Sequence, residues 1–259
     1  MKNLFRFVSA LTLVVVLFGS AQAITWFPQE FTCPIDNEKN IFLVWGSYGS
    51  YVYAEPPKYQ WLFFPWTYSE AYYICKKCHL ATNLGDFDKL PKDKLPAIRQ
   101  ILAGVRVSKP FKDYQELPVS ERMEIMEKVY AVLDRDEHWW ETFYRLKGYH
   151  NGAEGNAATA AEARRKSLAL VQKELNNEKS EMSKKLLLYI SAAMKHFLAD
   201  DKGALEDLNK ALNTKFHEKG VTAEDAKKSE VGLNERIKDY IEKIKSKDQK
   251  PRLAEKSAA

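Results

Sequence analysis

The residue pattern of the chain changes at about residue 119, and this change limits the fold more than any other feature. Residues 24–87 contain short runs of aromatic and β-branched side chains separated by glycine, serine and proline clusters. Such runs are typical of short strands joined by turns. They are residues 42–45, 51–53 and 72–74. Residues 120–247 carry apolar side chains at helical spacing in a charged background, which predicts helices. The chain is therefore expected to be an α+β protein, with a small aromatic-rich β-domain followed by a mainly α-helical domain.

Four prolines between residues 91 and 118 mark a linker between the two parts. We expect the β-domain to cover residues 24–90. The linker, 91–118, contains a predicted short helix at 95–104. The helical domain is predicted to cover 119–246, and the charged end of the chain, 247–259, is expected to be disordered.

The first 23 residues have the three parts of a secretory signal peptide. Lys2 and Arg6 give a positive start, residues 7–18 are almost all apolar, and Ala21-Gln22-Ala23 has the small-x-small form of a cleavage site. The apolar run is shorter than the roughly 20 residues that span a bilayer, which favours cleavage over a retained anchor. The mature protein is therefore predicted to be exported, periplasmic or secreted, and without a transmembrane segment.

The charge balance argues against a nucleic-acid partner. The chain has 40 basic and 35 acidic side chains, a formal charge of +5, and removal of Lys2 and Arg6 with residues 1–23 leaves +3. The basic residues of the helical part alternate with acidic ones, as on a solvated helix face. The sequence also lacks a Ser/His/Asp arrangement, a phosphate-binding glycine loop and an HExxH motif. These observations favour a protein that is not an enzyme.

Several helices are predicted after the linker. Ser120, followed by Glu121 and Glu124, is the expected N-terminal cap of the first one. A polar, glycine-containing break is expected at residues 151–156. The remaining predicted helices are residues 137–149, 157–175, 184–198, 203–212 and 223–245.

The hairpin formed by residues 184–212 has the residue spacing of a tetratricopeptide repeat. Its matching positions are Leu188, Ala192, Ala204, Leu208 and Ala211. Helical repeats present concave surfaces to proteins or peptides, so a protein or peptide partner is predicted. An ordinary irregular helical bundle remains the alternative interpretation of this part.

The segment Cys75-Lys76-Lys77-Cys78-His79 is the one motif that carries recognisable chemistry. A C-x-x-C turn supplies two thiolates from one bend, and a second turn completes a tetrahedral zinc site. Here the second turn has Cys33 and, three residues later, Asp36, whose carboxylate can also bind zinc. The candidate metal ligands are therefore Cys33, Asp36, Cys75 and Cys78, with His79 as a substitute fourth ligand.

At these residues the chain resembles a bacterial family, the domain of unknown function 2225. Members pair an F-x-C-P-x-C turn with a later Y-x-x-C-x-x-C turn, and here residues 31–34 and 72–78 match these turns, followed by 85–87. The resemblance implies a zinc-ribbon-like cysteine domain joined to tetratricopeptide-like helices, and no established activity. Asp36 stands where the family has a cysteine, and His79 stands where it usually has glycine.

Two other interpretations of the cysteines remain open. C-x-x-C-H is the attachment motif of c-type haem, with Cys75 and Cys78 bonded to the haem and His79 as an axial iron ligand. Alternatively, two of the three cysteines form a structural disulfide, and the third, for instance Cys33, stays free without any cofactor.

The predicted function is that of an exported, non-enzymatic binding or scaffold protein. Its N-terminal domain would be stabilised by zinc and its helical domain would bind a protein or peptide. The alternative is an electron-transfer protein that carries haem c on the motif at residues 75–79.

Overall fold

A computed structural model describes residues 24–48 and 56–246 of the chain. The predicted signal peptide, the predicted strand 51–53 and the predicted disordered tail lie outside these residues. Within them, two small antiparallel sheets are followed by a mostly helical region, which confirms the predicted α+β class.

Each of the two sheets is a two-stranded hairpin. In the first, β1 (Ile24–Thr32) pairs with β2 (Lys39–Tyr48), and the register shifts between Thr25 and Trp26. In the second, β3 (Tyr72–Ile74) pairs with β4 (Ala81–Asn83). Both hairpins therefore end in a tight connection that contains a cysteine turn.

Eight α-helices occur in the described residues, and all but the first lie after the second hairpin. They are α1 (Pro57–Gln60), α2 (Leu95–Ala103), α3 (Val119–Tyr130), α4 (Glu137–Ala153), α5 (Ala157–Leu175), α6 (Lys184–Phe197), α7 (Asp201–Leu212) and α8 (Ala223–Lys245). The helices α5 and α8 begin and end at the predicted residues. No helix of this part of the chain is long and apolar enough to cross a membrane.

The start of α3 differs from the prediction. Ser120 was expected to cap the helix, but α3 already includes Val119, and Pro118 occupies the cap position. The first free amides are satisfied by a distant side chain instead. The carboxylate of Glu154, at the end of α4, accepts hydrogen bonds from the backbone N–H of Val119 at 2.7 Å and of Ser120 at 3.2 Å.

Three hydrophobic cores form in the described residues, and the third is a small one of Val171, Leu187 and Ile190 between α5 and α6. The first continues from the hairpins through α2, α3 and α4, across the predicted boundaries at residues 90 and 118. At its centre the rings of Phe42 and Tyr73 stack with centroids 4.2 Å apart. The second core is built by α6, α7 and α8 together with Tyr59. Ala192, Ala204, Leu208 and Ala211 of the predicted repeat are fully buried in it, and Leu188 packs against them.

Buried polar contacts fix the second hairpin on α3. The guanidinium of Arg122, 1% exposed, donates to the carbonyl oxygens of Ser69 at 2.9 Å and Tyr72 at 2.5 Å. The hydroxyl of Tyr130 accepts from the backbone N–H of Asn83 at 2.9 Å. Since a buried polar group needs a partner, these bonds favour one placement of the hairpin against the helix. These contacts therefore also fix the position of the cysteine turn at the tip of the second hairpin.

Candidate metal centre

The first cysteine turn consists of residues 33–38 and connects β1 to β2. The backbone N–H of Cys33 donates to the carbonyl of Glu38 at 2.9 Å, and the N–H of Asn37 donates to the carbonyl of Cys33 at 3.0 Å. Asn37 has a left-handed conformation, with φ of 60°. Asparagine tolerates this conformation better than most residues do, so the local sequence suits the turn.

The second cysteine turn, residues 75–80, repeats this geometry between β3 and β4. The N–H of Cys75 donates to the carbonyl of Leu80 at 2.9 Å, and the N–H of His79 donates to the carbonyl of Cys75 at 3.1 Å. His79 is left-handed, with φ of 63°. The two turns therefore correspond residue by residue, and Cys78 occupies the position that Asp36 has in the first turn.

The two turns bring four candidate ligands together. One donor atom from each of Cys33, Asp36, Cys75 and Cys78 lies within 4.8 Å of the other three. The Sγ atoms of Cys33 and Cys78 are 3.5 Å apart, and the Sγ of Cys75 is 3.8 Å from both carboxylate oxygens of Asp36. With Zn–S bonds of about 2.3 Å, tetrahedral coordination places two sulfur atoms about 3.8 Å apart. The observed spacing therefore suits a tetrahedral metal ion.

His79 does not belong to this group, although it was predicted as a substitute ligand. Its ring lies beside Phe111, with centroids 6.0 Å apart. His79 occupies the left-handed position of the turn. The domain of unknown function 2225 usually has glycine at this position, and glycine adopts that conformation without strain. The fourth candidate donor of the cluster is therefore the carboxylate of Asp36.

All three cysteines are free thiols in the structure. The Sγ atoms of Cys33 and Cys78 are 3.5 Å apart, far longer than a disulfide bond of about 2.05 Å. The alternative of a structural disulfide is therefore wrong for this structure. Cys33 and Cys75 are fully buried, while Cys78 and Asp36 are half-buried, so the cluster lies beneath the surface with one side towards solvent.

Hydrogen bonds among the three thiols lower the pKa of one of them and raise the pKa of the other two. Hydrogen bonds from Cys33 and Cys78 lower the pKa of Cys75, because they stabilise its thiolate. The bond to Cys75 and burial raise the pKa of Cys33, although its bond to Cys78 lowers it. Bonds to Cys33 and Cys75, together with burial, raise the pKa of Cys78. The cluster therefore favours one thiolate that accepts from two thiols. A divalent cation, which binds thiolates, would take the place of those two protons.

Several contacts hold the two turns at their positions. The guanidinium of Arg99, in α2, donates to the carbonyl of Ile35 from Nε at 3.3 Å and Nη2 at 3.2 Å. The ammonium of Lys76 pairs with the carboxylate of Glu38 at 3.1 Å and so links one turn to the other. A further buried contact comes from Asn40, which sequence analysis missed because its role depends on a residue 35 positions away.

A second feature is a cavity of about 460 Å³ between α3, α4 and α5. Its lining carries charged side chains of both signs. The ammonium of Lys147, 5% exposed, is bound by the carboxylates of Glu127 and, at 2.7 Å, Glu124. Lys166 pairs with Glu127 at 3.0 Å and with Glu162 at 3.2 Å. These ion pairs make the cavity polar, unlike the aromatic core beside it.

No family model, no curated protein and no solved structure matches this chain. The resemblance to the domain of unknown function 2225 therefore stays a prediction that rests on residues 31–34, 72–78 and 85–87. Among residues 24–48 and 56–246, the cysteine and aspartate cluster is the one group of potential metal ligands with convergent donor atoms.

Proposed function

We propose that this protein is an exported, non-enzymatic scaffold whose two β-hairpins are held together by one zinc ion and whose helices bind a protein or peptide. The observation that carries the proposal is the match between the two cysteine turns, which direct four donor atoms to one point. This arrangement, a cysteine turn at the tip of each of two hairpins, is that of a zinc ribbon. It also fits the resemblance to the domain of unknown function 2225.

Zinc suits this donor set better than other common ions do. Three sulfur donors and one carboxylate favour a borderline-soft, tetrahedral ion over magnesium or calcium, which prefer oxygen ligands. Zinc is also redox-inert and so is compatible with an oxidising compartment outside the cytoplasm. Four protein ligands complete its coordination and leave no position for a substrate, which is the arrangement of a structural site.

The metal would stabilise the second hairpin most, because its strands are short. A two-stranded hairpin is marginally stable by itself, and β3 and β4 have three residues each. Zinc bound by Cys33 and Asp36 from one turn and by Cys75 and Cys78 from the other would join the two hairpins directly. Binding free energy at such a site adds to folding free energy.

The geometry gives less support to covalent haem. Haem attachment needs the thiols of Cys75 and Cys78 to reach the haem edge and His79 to reach the iron. In the structure Cys75 is fully buried, with its Sγ near Asp36, and the ring of His79 lies beside Phe111.

Elemental analysis of the purified full chain, expressed in an exporting host that has haem-maturation machinery, tests the metal assignment. We expect about one zinc per chain in the wild type, little zinc in Cys78→Ser, and unchanged zinc in His79→Gly, because His79 lies outside the cluster. A red protein with a Soret band that survives denaturation would instead support haem. A colourless protein without zinc would contradict both assignments. The N-terminus of the same preparation, expected at Ile24, tests export.

The cavity between α3, α4 and α5 supports the binding part of the proposal, because its charged walls suit a polypeptide that carries both signs of charge. A photo-crosslinker placed at the exposed Lys128, in this cavity, should give one discrete adduct in cells. The same group at the exposed Lys202, on α7, serves as the matched control. Equal crosslinking at the two positions would contradict the cavity as the binding surface.

A further inference from the structure

Asn40 is a buried polar residue near the start of β2. Its side chain is 3% exposed, and its amide contacts both cysteine turns. The Nδ2 group donates to the carbonyl of Glu38 at 3.0 Å and approaches the Sγ of Cys75 at 3.5 Å. The Oδ1 atom accepts from the backbone N–H of Lys76 at 3.0 Å. Both hydrogens of the amide and its oxygen are thus used, as burial of an amide requires.

We propose that Asn40 is a positioning residue of the metal centre, which donates an N–H to the Cys75 sulfur and fixes the second cysteine turn against the first. This inference rests on the proposed function, since it assumes that the cluster binds zinc. It adds a residue that is not a ligand and that no sequence motif marks.

The chemistry of the donor set explains why such a donor is needed. Three thiolates and one carboxylate around a divalent cation have a formal charge of −2, and two of the sulfur ligands, Cys33 and Cys75, are fully buried. A hydrogen bond to a thiolate withdraws charge from the sulfur and so reduces its repulsion with the other ligands. Partners of this kind orient the ligands and typically contribute 10–100-fold to metal affinity.

The correspondence of the two turns provides an internal comparison. Asn40 lies seven residues after Cys33, and the residue seven after Cys75 is Thr82. Thr82 is also fully buried, but its hydroxyl has no hydrogen-bond partner among the described residues. At this matched position, only the first hairpin supplies a polar contact to the cluster. Thr82→Val is therefore a control that removes a buried hydroxyl at the equivalent place without removing a contact to sulfur.

The test compares the full chain with Asn40→Asp, Asn40→Ser and Thr82→Val. Asn40→Asp keeps an oxygen that accepts from the Lys76 N–H but replaces the donor that faces Cys75. Asn40→Ser keeps a hydrogen-bond donor in a shorter side chain. It is the variant to measure if Asn40→Asp fails to fold. Zinc affinity is measured by competition with a chromophoric chelator. Cobalt-loaded protein gives a second readout, the sulfur-to-cobalt charge-transfer band.

We expect the zinc dissociation constant of Asn40→Asp to rise by about 10–100-fold, with a shifted charge-transfer band, and that of Thr82→Val to stay unchanged. Asn40→Ser should weaken zinc binding less than Asn40→Asp. Unchanged affinity and an unchanged cobalt spectrum in both Asn40 variants, with zinc bound by the wild type, would overturn this inference alone. A wild-type protein that binds no zinc would overturn the proposed function as well.

Discussion

Asp36 is the one carboxylate among three cysteines, and its position in the first turn corresponds to that of Cys78 in the second. Its Oδ1 atom also accepts from the backbone N–H of Glu38 at 3.0 Å, so part of its hydrogen-bonding capacity is used within the turn. Thiolate is the softer ligand and binds zinc more strongly than carboxylate does. We therefore predict that Asp36→Cys raises zinc affinity by about tenfold, or about 1.4 kcal/mol, in a chelator competition titration.

The matched variant Asp36→Ala removes the ligand without replacing it and should lower zinc affinity. If Asp36→Ala binds zinc as tightly as the wild type, the carboxylate is not a ligand. The fourth position would then belong to water or to another residue.

His150 is a buried imidazole that stays neutral in the folded protein. Its Nε2 atom lies 2.9 Å from the carbonyl of Trp66 and 3.1 Å from the hydroxyl of Tyr72. Because a carbonyl only accepts, Nε2 carries the hydrogen. Burial, and to a smaller extent the nearby Arg122, lowers the pKa of His150 to about 4 from 6.5.

This pKa predicts an acid-sensitive fold. Below pH 6.5 the unfolded chain binds a proton at His150 that the folded chain does not, so stability falls as pH decreases from 6.5 to 4. The full contribution is about 3 kcal/mol. Urea unfolding of the metal-free protein across this range measures it. His150→Gln, which keeps an N–H donor, should lose less stability over the same interval, and parallel curves for the two proteins would contradict the lowered pKa.

At the level of the elements, the N-terminus of α3 depends on a side chain from α4. Glu154 accepts from the N–H groups of Val119 and Ser120, which have no partner within the helix. We predict that Glu154→Ala lowers the free energy of unfolding by about 1 kcal/mol, as the loss of other helix caps does. Glu154→Gln, which keeps an acceptor oxygen, should lose less. Equal stability of all three proteins in urea titrations would show that water replaces this cap.

The local pattern of the sequence was enough to predict α5 and α8, because an amphipathic stripe and flanking polar residues define such helices. It was not enough for α4, which continues to Ala153, three residues into the predicted break at 151–156. The break was inferred from Gly152 and its neighbours. In the fold, Gly148 and Gly152 face Arg164 of α5 so closely that a Cβ at either position would lie within 2.8 Å of that side chain. The packing of α5 on α4 therefore leaves little room for a side chain at Gly148, where the contact is with Cγ of Arg164, whereas at Gly152 the contact is with the flexible guanidinium end.

The candidate metal site, like the helices, was predictable from the sequence only in part. Spacing alone selected Cys33, Asp36, Cys75 and Cys78, because a C-x-x-C turn and its partner turn are local features. The exclusion of His79 and the contact of Asn40 were not predictable. The first depends on a left-handed backbone conformation, and the second depends on how the two hairpins meet.

On the scale of the whole molecule, the two larger cores differ in their contact with the candidate metal centre. The first core contains Cys33 and Cys75 among its buried members. The second is formed by α6, α7 and α8 with Tyr59, and it contains no residue of the cluster. Loss of the metal should therefore act on the two cores unequally, with the hairpins affected most.

We predict that chelation of the metal speeds amide hydrogen exchange in β1–β4 by about tenfold or more and leaves α6, α7 and α8 nearly unchanged. The reason is that the hairpins lose their direct connection, whereas the second core keeps all of its apolar contacts. Mass spectrometry of exchanged peptides, with and without chelator, measures the difference. Cys75→Ser is the control, because without a complete site it should exchange rapidly in the hairpins under both conditions. Uniform acceleration across both cores on chelation would mean that the chain unfolds as a single cooperative unit, and that the zinc site stabilises the helices as much as the hairpins it joins.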